Sequence, residues 1–147
     1  MIARVFVDTN VLIYARDAKA ADKRVEALAW LDALALDGRL TVNLQVLNEL
    51  ARWLLRNDPR PVASIRREVD AMKRYGHSAL TDEDAALAWD VRDTLGYQWF
   101  DCLLLAAASR RGCRYFLSED MGHEARYGSL TIINPFRVDP DAFLKAN

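Results

Sequence analysis

The chain alternates short β-prone runs with longer stretches of helical apolar spacing, an order that few folds accommodate. Ile2 to Val7 is rich in β-branched residues and leads into polar Asp8-Thr9-Asn10, which predicts a strand ending near Asp8. Lys23 to Leu36 repeats apolar residues at Val25, Leu28, Leu31 and Leu34 and stops at Asp37-Gly38, as a helix does. Leu40 to Leu44 reads as a second strand, and Gln45 to Arg56 as a helix with Val46, Leu50, Trp53 and Leu54 on one stripe. Asn57-Asp58-Pro59-Arg60-Pro61 breaks that helix, and Pro61 suits the start of another running to about Arg74. Thr81-Asp82-Glu83-Asp84 supplies an N-cap and first-turn acids for a helix that ends near Leu95 and Gly96. An apolar helix follows and stops at Gly112, with further strands at Arg114 to Ser118 and Leu130 to Ile133. Strands separated by helices need crossover connections, so the expected fold is α/β, with a parallel sheet covered on both faces.

At 147 residues, the chain fits one domain spanning residues 1–147. Its 52% hydrophobic and 28% charged content suits a globular protein, and no apolar run approaches the ~18 residues of a membrane span. The N-terminal apolar run is too short for a signal peptide, so the expected location is the cytoplasm. Cys102 and Cys113 fall near opposite ends of one predicted helix, roughly 16 Å apart at ~1.5 Å per residue, too far to bridge. The net charge is −1, yet 16 of the 20 basic residues are Arg, and the charges are unevenly placed. From Arg52 to Arg74, seven bases oppose three acids, whereas from Thr81 to Asp101 six acids oppose only Arg92. One region is thus fit to hold phosphates while another stays acidic.

Asp101 poses the sharpest chemical question, because it interrupts Trp99-Phe100-Asp101-Cys102-Leu103-Leu104-Leu105, which otherwise reads as a buried helix. An ionised Asp in a dry interior costs several kcal/mol unless a cation, a strong donor or a raised pKa compensates it. In an open parallel sheet, ligands collect beyond the carboxyl ends of the strands, and acids stand at two such ends here. Asp8 follows the first strand and Glu119-Asp120 follow the third, while Asp101 lies in the first turn of its helix and Glu49 one turn into the helix after the second strand. Four carboxylates from distant parts of the chain are therefore expected to converge. All-oxygen ligation without His or Cys selects Mg²⁺ or Mn²⁺, and such an ion suits hydrolysis of a phosphodiester by water.

Taken in order, Asp8-Thr9-Asn10, Glu49 within Val46-Leu47-Asn48-Glu49-Leu50, Asp101 within Trp99-Phe100-Asp101-Cys102, and Ser118-Glu119-Asp120 resemble the four motifs of PIN-domain nucleases. The resemblance spans about residues 1–138, and the compact size looks most like the VapC-type ribonuclease toxins of toxin-antitoxin pairs. It implies a three-layer α/β/α sandwich with a central, mostly parallel sheet of four to five strands. It also implies Mg²⁺- or Mn²⁺-dependent endonucleolytic cleavage of RNA, a homodimer, and inhibition by a cognate antitoxin on a separate chain. Carried over by position, Asp8, Glu49, Asp101 and Asp120 would be the catalytic and metal-binding acids, with Asn10 and Ser118 in support. Asp120 is the better match for the fourth acid, and Glu119 is able to substitute. Arg52, Arg56 and Arg60 are the candidate RNA contacts.

Each of these residues also has a plainer reading. Asp8 alone reads equally well as a helix cap, Glu49 as a solvated helix residue, and Asp101 as a first-turn acid favoured by the helix dipole. Trp30, Trp53, Trp89 and Trp99 are most simply core or partner-interface residues. An aspartyl-nucleophile phosphatase would explain Asp8 at a strand end, but the second Asp such enzymes use is Asn10 here. A binding module that keeps the fold without cutting is the non-enzymatic alternative.

Overall fold

In the computed structural model, which describes residues 2–147, five strands form one sheet in the order β2-β1-β3-β5-β4. The strands are β1 (Val5–Val7), β2 (Leu40–Thr41), β3 (Tyr115–Leu117), β4 (Arg126–Tyr127) and β5 (Leu130–Ile133). The pairings of β1 with β2 and β3, and of β3 with β5, are parallel, and only the edge pair β4–β5 is antiparallel. Val5, Phe6 and Val7 are all fully buried, as expected of a parallel strand covered on both faces. Phe6 lies in register with Phe116, and their rings stack with centroids 5.2 Å apart across the middle of the sheet.

Among the described residues, seven α-helices complete the α/β/α sandwich: α1 (Thr9–Tyr14), α2 (Ala21–Leu36), α3 (Leu44–Asn57), α4 (Val62–Met72), α5 (Asp82–Leu95), α6 (Trp99–Arg110) and α7 (Pro140–Ala146). Helix α5 packs along α6, α2 packs against α1 and α7, and α3 packs against α1 and α4. Trp30 of α2 is fully buried and donates its indole N–H to the Pro135 carbonyl at 2.7 Å, so the largest core side chain leaves no unpaired donor. Cys102 and Cys113 are both free and buried. Among the described residues, no helix is long and apolar enough to cross a membrane.

Several expected boundaries move, each for a local reason. The strand expected over Ile2 to Val7 starts at Val5, where the chain first bonds to the Arg39 carbonyl, and Ile2 is exposed. The strand expected over Leu40 to Leu44 ends at Thr41, because the Asn43 side chain accepts from the Val46 N–H and starts α3 one residue before Gln45. The start of α3 is held from outside as well. Val42 and Leu44 donate to the carbonyls of Tyr75 and Ser78, and Gly76 between those two passes so close that a Cβ there would lie 2.2 Å from the Val42 carbonyl oxygen. The expected cap at Thr81 is present as a reciprocal capping box with Asp84, and Gly96 closes α5 with φ 74.

Candidate active site

Asp8 lies one residue past β1 and caps α1, accepting from the Thr9 N–H at 2.8 Å. The cap and site readings thus fall on the same carboxylate, whose second oxygen accepts from the Ser118 hydroxyl at 2.8 Å and from Asn10 Nδ2 at 3.3 Å. Asp120 follows β3, the neighbouring strand, and Asn10 Nδ2 also donates to it at 3.0 Å. Glu49 stands in the second turn of α3 and accepts from Thr9 Oγ1 at 2.8 Å and Gln45 Nε2 at 2.9 Å. Asp101 is in the first turn of α6. All four acids line one cleft of about 830 Å³ beyond the carboxyl ends of the strands.

None of the four is ion-paired among the described residues, although the chain is rich in Arg. Nor do any three draw together around a common point as they stand. Like charges repel, and each acid takes a neutral donor instead: Thr9 and Gln45 for Glu49, Asn10 for Asp120, Ser118 with the Thr9 N–H for Asp8, and Gln98 for Asp101. The donor set, oxygen only and of uncompensated negative charge, fits a hard divalent cation.

The structure corrects the expectation that Asp101 is the buried acid. Asp101 is half-buried at the cleft rim, because burial of α6 begins only at Cys102. Its carboxyl is raised above the usual range mainly by partial burial, opposed by a hydrogen bond from Gln98 and reinforced by the charges of Asp120 and Glu49. Asp8 is itself the buried carboxyl, only 5% exposed, and burial pushes its pKa up to about 7. The hydrogen bonds from Ser118 and Thr9 pull the other way, and the Asp101 and Glu49 charges add to the rise.

That shift has a definite sign for stability. The folded value lies above the ordinary 3.8, so Asp8 favours the fold fully below 3.8, and that contribution is lost as pH rises through about 7. At ~1.4 kcal/mol per pH unit the loss is of the order of a few kcal/mol. Urea unfolding of metal-stripped protein should therefore show wild type losing stability from pH 4.5 to 8 relative to Asp8→Asn. Parallel pH profiles for the two proteins would refute the assignment.

Glu119 and Asp120 part company. Glu119 accepts from the Tyr14 hydroxyl at 2.8 Å and pairs with Lys23 at 2.6 Å, outside the residues that line the cleft. Asp120 is exposed and faces the cleft. The bases divide in the same way: Arg52 and Arg56 line the cleft from α3, but Arg60 does not. Arg60 is instead taken up by Asp58 and Glu68, each at 2.7 Å, because the break after α3 turns it back toward α4. Sequence reasoning assigned no role to Thr9, Gln45 or Gln98. Thr9 alone carried a signal, as the residue between Asp8 and Asn10.

Comparison with known proteins bears on this arrangement. The PIN domain model matches residues 5–128. The chain belongs to the PIN domain family. A toxin-antitoxin complex from Klebsiella pneumoniae contains a chain of similar fold, with TM-score 0.63 and 17% identity over 90% of this chain and 98% of that one. VapBC2 from Rickettsia felis, bound to a DNA fragment from its promoter, gives TM-score 0.61 and 14% identity over 87% and 96%. VapC20 of Mycobacterium tuberculosis, described as a sarcin-ricin loop cleaving toxin, gives 0.53 and 19% over 76% and 86%. Among curated protein sequences, none matches significantly. At these identities the neighbours show that the fold is shared.

Proposed function

We propose that this PIN domain protein is a divalent-metal-dependent endoribonuclease of the VapC type, the toxin of a toxin-antitoxin pair. The observation that carries the reading is the set of four carboxylates, from the end of β1, α3, α6 and the turn after β3, that line one cleft without a basic partner among the described residues. In this reading Asp8, Glu49, Asp101 and Asp120 hold Mg²⁺ or Mn²⁺, and Glu119 serves the scaffold. The ion supplies acidification of a water and neutralisation of phosphoryl charge. Asn10 spans Asp8 and Asp120 and fixes their relative orientation, as Ser118 does for Asp8. Arg52 and Arg56 line the same cleft as the acids and, in this reading, receive the phosphates of the strand to be cut.

The core runs from Val5 to Phe143, which supports reading residues 1–147 as one PIN domain. Toxin-antitoxin complexes among the structural neighbours support a separate antitoxin chain as the inhibitor. In the same reading the working assembly is a homodimer in the cytoplasm. Purified protein is expected to cut RNA internally with Mg²⁺ or Mn²⁺, to stop in EDTA, and to resume when Mn²⁺ is restored. Cleavage at an unchanged rate in EDTA would sink the reading.

A further inference from the structure

Phe100 immediately precedes Asp101, yet it is 56% exposed on a helix whose residues Cys102 to Ala108 are all buried. Its other neighbour, Trp99, turns to the body of the protein and packs on Trp89 with ring centroids 4.4 Å apart. Phe100 joins no part of the core and lines the cleft instead. An aromatic ring held in water beside a row of carboxylates gains nothing for the fold. On α3, which lines the same cleft, Arg52 and Arg56 stand one turn apart, both exposed and neither ion-paired among the described residues. The cleft therefore offers an apolar π-face beside the acids and two free guanidinium groups on α3.

The geometry points to Phe100 as the stacking platform that receives one unpaired nucleobase of the RNA bound in this cleft. The inference rests on the nuclease reading above and deepens it. A duplex hides the faces of its bases in its own stack, whereas an unpaired nucleotide presents a bare base and a phosphate together. Arg52 and Arg56 neutralise the backbone without regard to base, and Phe100 requires a base to be splayed out. Stacking on a ring tolerates every base, so the platform selects strandedness and leaves sequence choice to other contacts.

The test is equilibrium binding by metal-free protein in EDTA at low ionic strength, where no turnover occurs. Three probes are compared: a short single-stranded RNA, the corresponding duplex, and an abasic ribose-phosphate oligomer of the same length. Wild type is expected to bind the single strand tightest. Phe100→Ala should weaken single-strand binding between about five- and about a hundredfold, leave the abasic oligomer unaffected, and be rescued by Phe100→Trp but not by Phe100→Leu. Arg52→Gln should weaken all three probes and reduce the salt dependence. An equal Phe100→Ala effect on base-bearing and abasic probes overturns the inference, as does no effect at all. A change in sedimentation instead of RNA affinity also overturns it, since Phe100 would then be a contact between protein chains. Cleavage is assayed separately with Mn²⁺. Binding as expected without cleavage refutes only the nuclease reading, and cleavage without a Phe100 effect refutes only the platform.

Discussion

Asp101→Asn is expected to lower RNA cleavage by at least about a hundredfold while leaving the metal-free protein as stable at pH 7 as wild type, or more so. The two halves of this expectation have one cause. Asp101 is half-buried near Asp120 and Glu49, and its carboxyl sits above the usual range because burial and those charges disfavour ionisation. Removing the charge relieves both costs in the metal-free fold, yet takes one anionic ligand from the set on which cation binding depends. As a first-turn acid, Asp101 also gains from the helix dipole, but that gain is only about 0.3–1 kcal/mol. Cleavage is measured with saturating Mn²⁺, so that a mere loss of affinity does not pass for a loss of turnover. Melting is measured after metal stripping. Full activity in Asp101→Asn would refute its role as a ligand, and a clear drop in melting temperature would return it to a structural cap.

How far the sequence foretold this arrangement differs from element to element. The helices with strong caps or regular apolar spacing were legible to within a residue or two, α5 most clearly, because the capping box and Gly96 mark its two ends. Helix α1 was not, since Val11, Ile13 and Tyr14 are β-branched or aromatic, and it becomes helical because Asp8 caps it and α2 and α3 pack against it. Strand β4 is two residues long and pairs with β5 around Gly128, at φ 56, so its existence depends on the partner strand. Helix α7 escaped notice despite its Asp139 cap and Pro140 at its start, because seven residues leave too short a period to read.

At the site, the placing of acids beyond strand ends was legible, because a parallel sheet dictates it. What lay beyond reach was which of two adjacent acids turns inward. That choice is made by Lys23 and Tyr14, about a hundred residues earlier in the chain, which draw Glu119 away. Arg60 fails for the same kind of reason, since one of its two partners, Glu68, sits on the following helix.

The acidic stretch from Thr81 to Asp101 conceals a carboxylate of the opposite kind, and Asp84→Ala is expected to cost about 3 kcal/mol of folding stability. Asp84 is fully buried, accepts from Arg110 Nη1 at 2.8 Å and stands 3.5 Å from Arg111 Nη1, both near the end of α6. The same carboxylate accepts from the Thr81 N–H at 3.0 Å, so it closes the start of α5 and ties α5 to the far end of α6. Because Arg110 and Arg111 keep partial access to water, truncation leaves them solvated, and the cost falls at the lower end for a broken buried pair. For a domain of this size that corresponds to a melting temperature lower by roughly 10 °C. The pH dependence opposes that of Asp8. Burial pushes the Asp84 carboxyl up, but the Arg110 and Thr81 hydrogen bonds and the two guanidinium charges outweigh it and hold it below the ordinary 3.8. Its stabilisation is therefore complete above 3.8 and lost as pH falls through the lower folded value. Thermal melts of wild type and Asp84→Ala should differ fully at pH 7 and converge only in strong acid. A difference that instead grows as pH falls would refute the pairing. Since α6 carries Asp101 at one end and Arg110 at the other, loosening this tie should weaken cleavage only in proportion to the fraction unfolded.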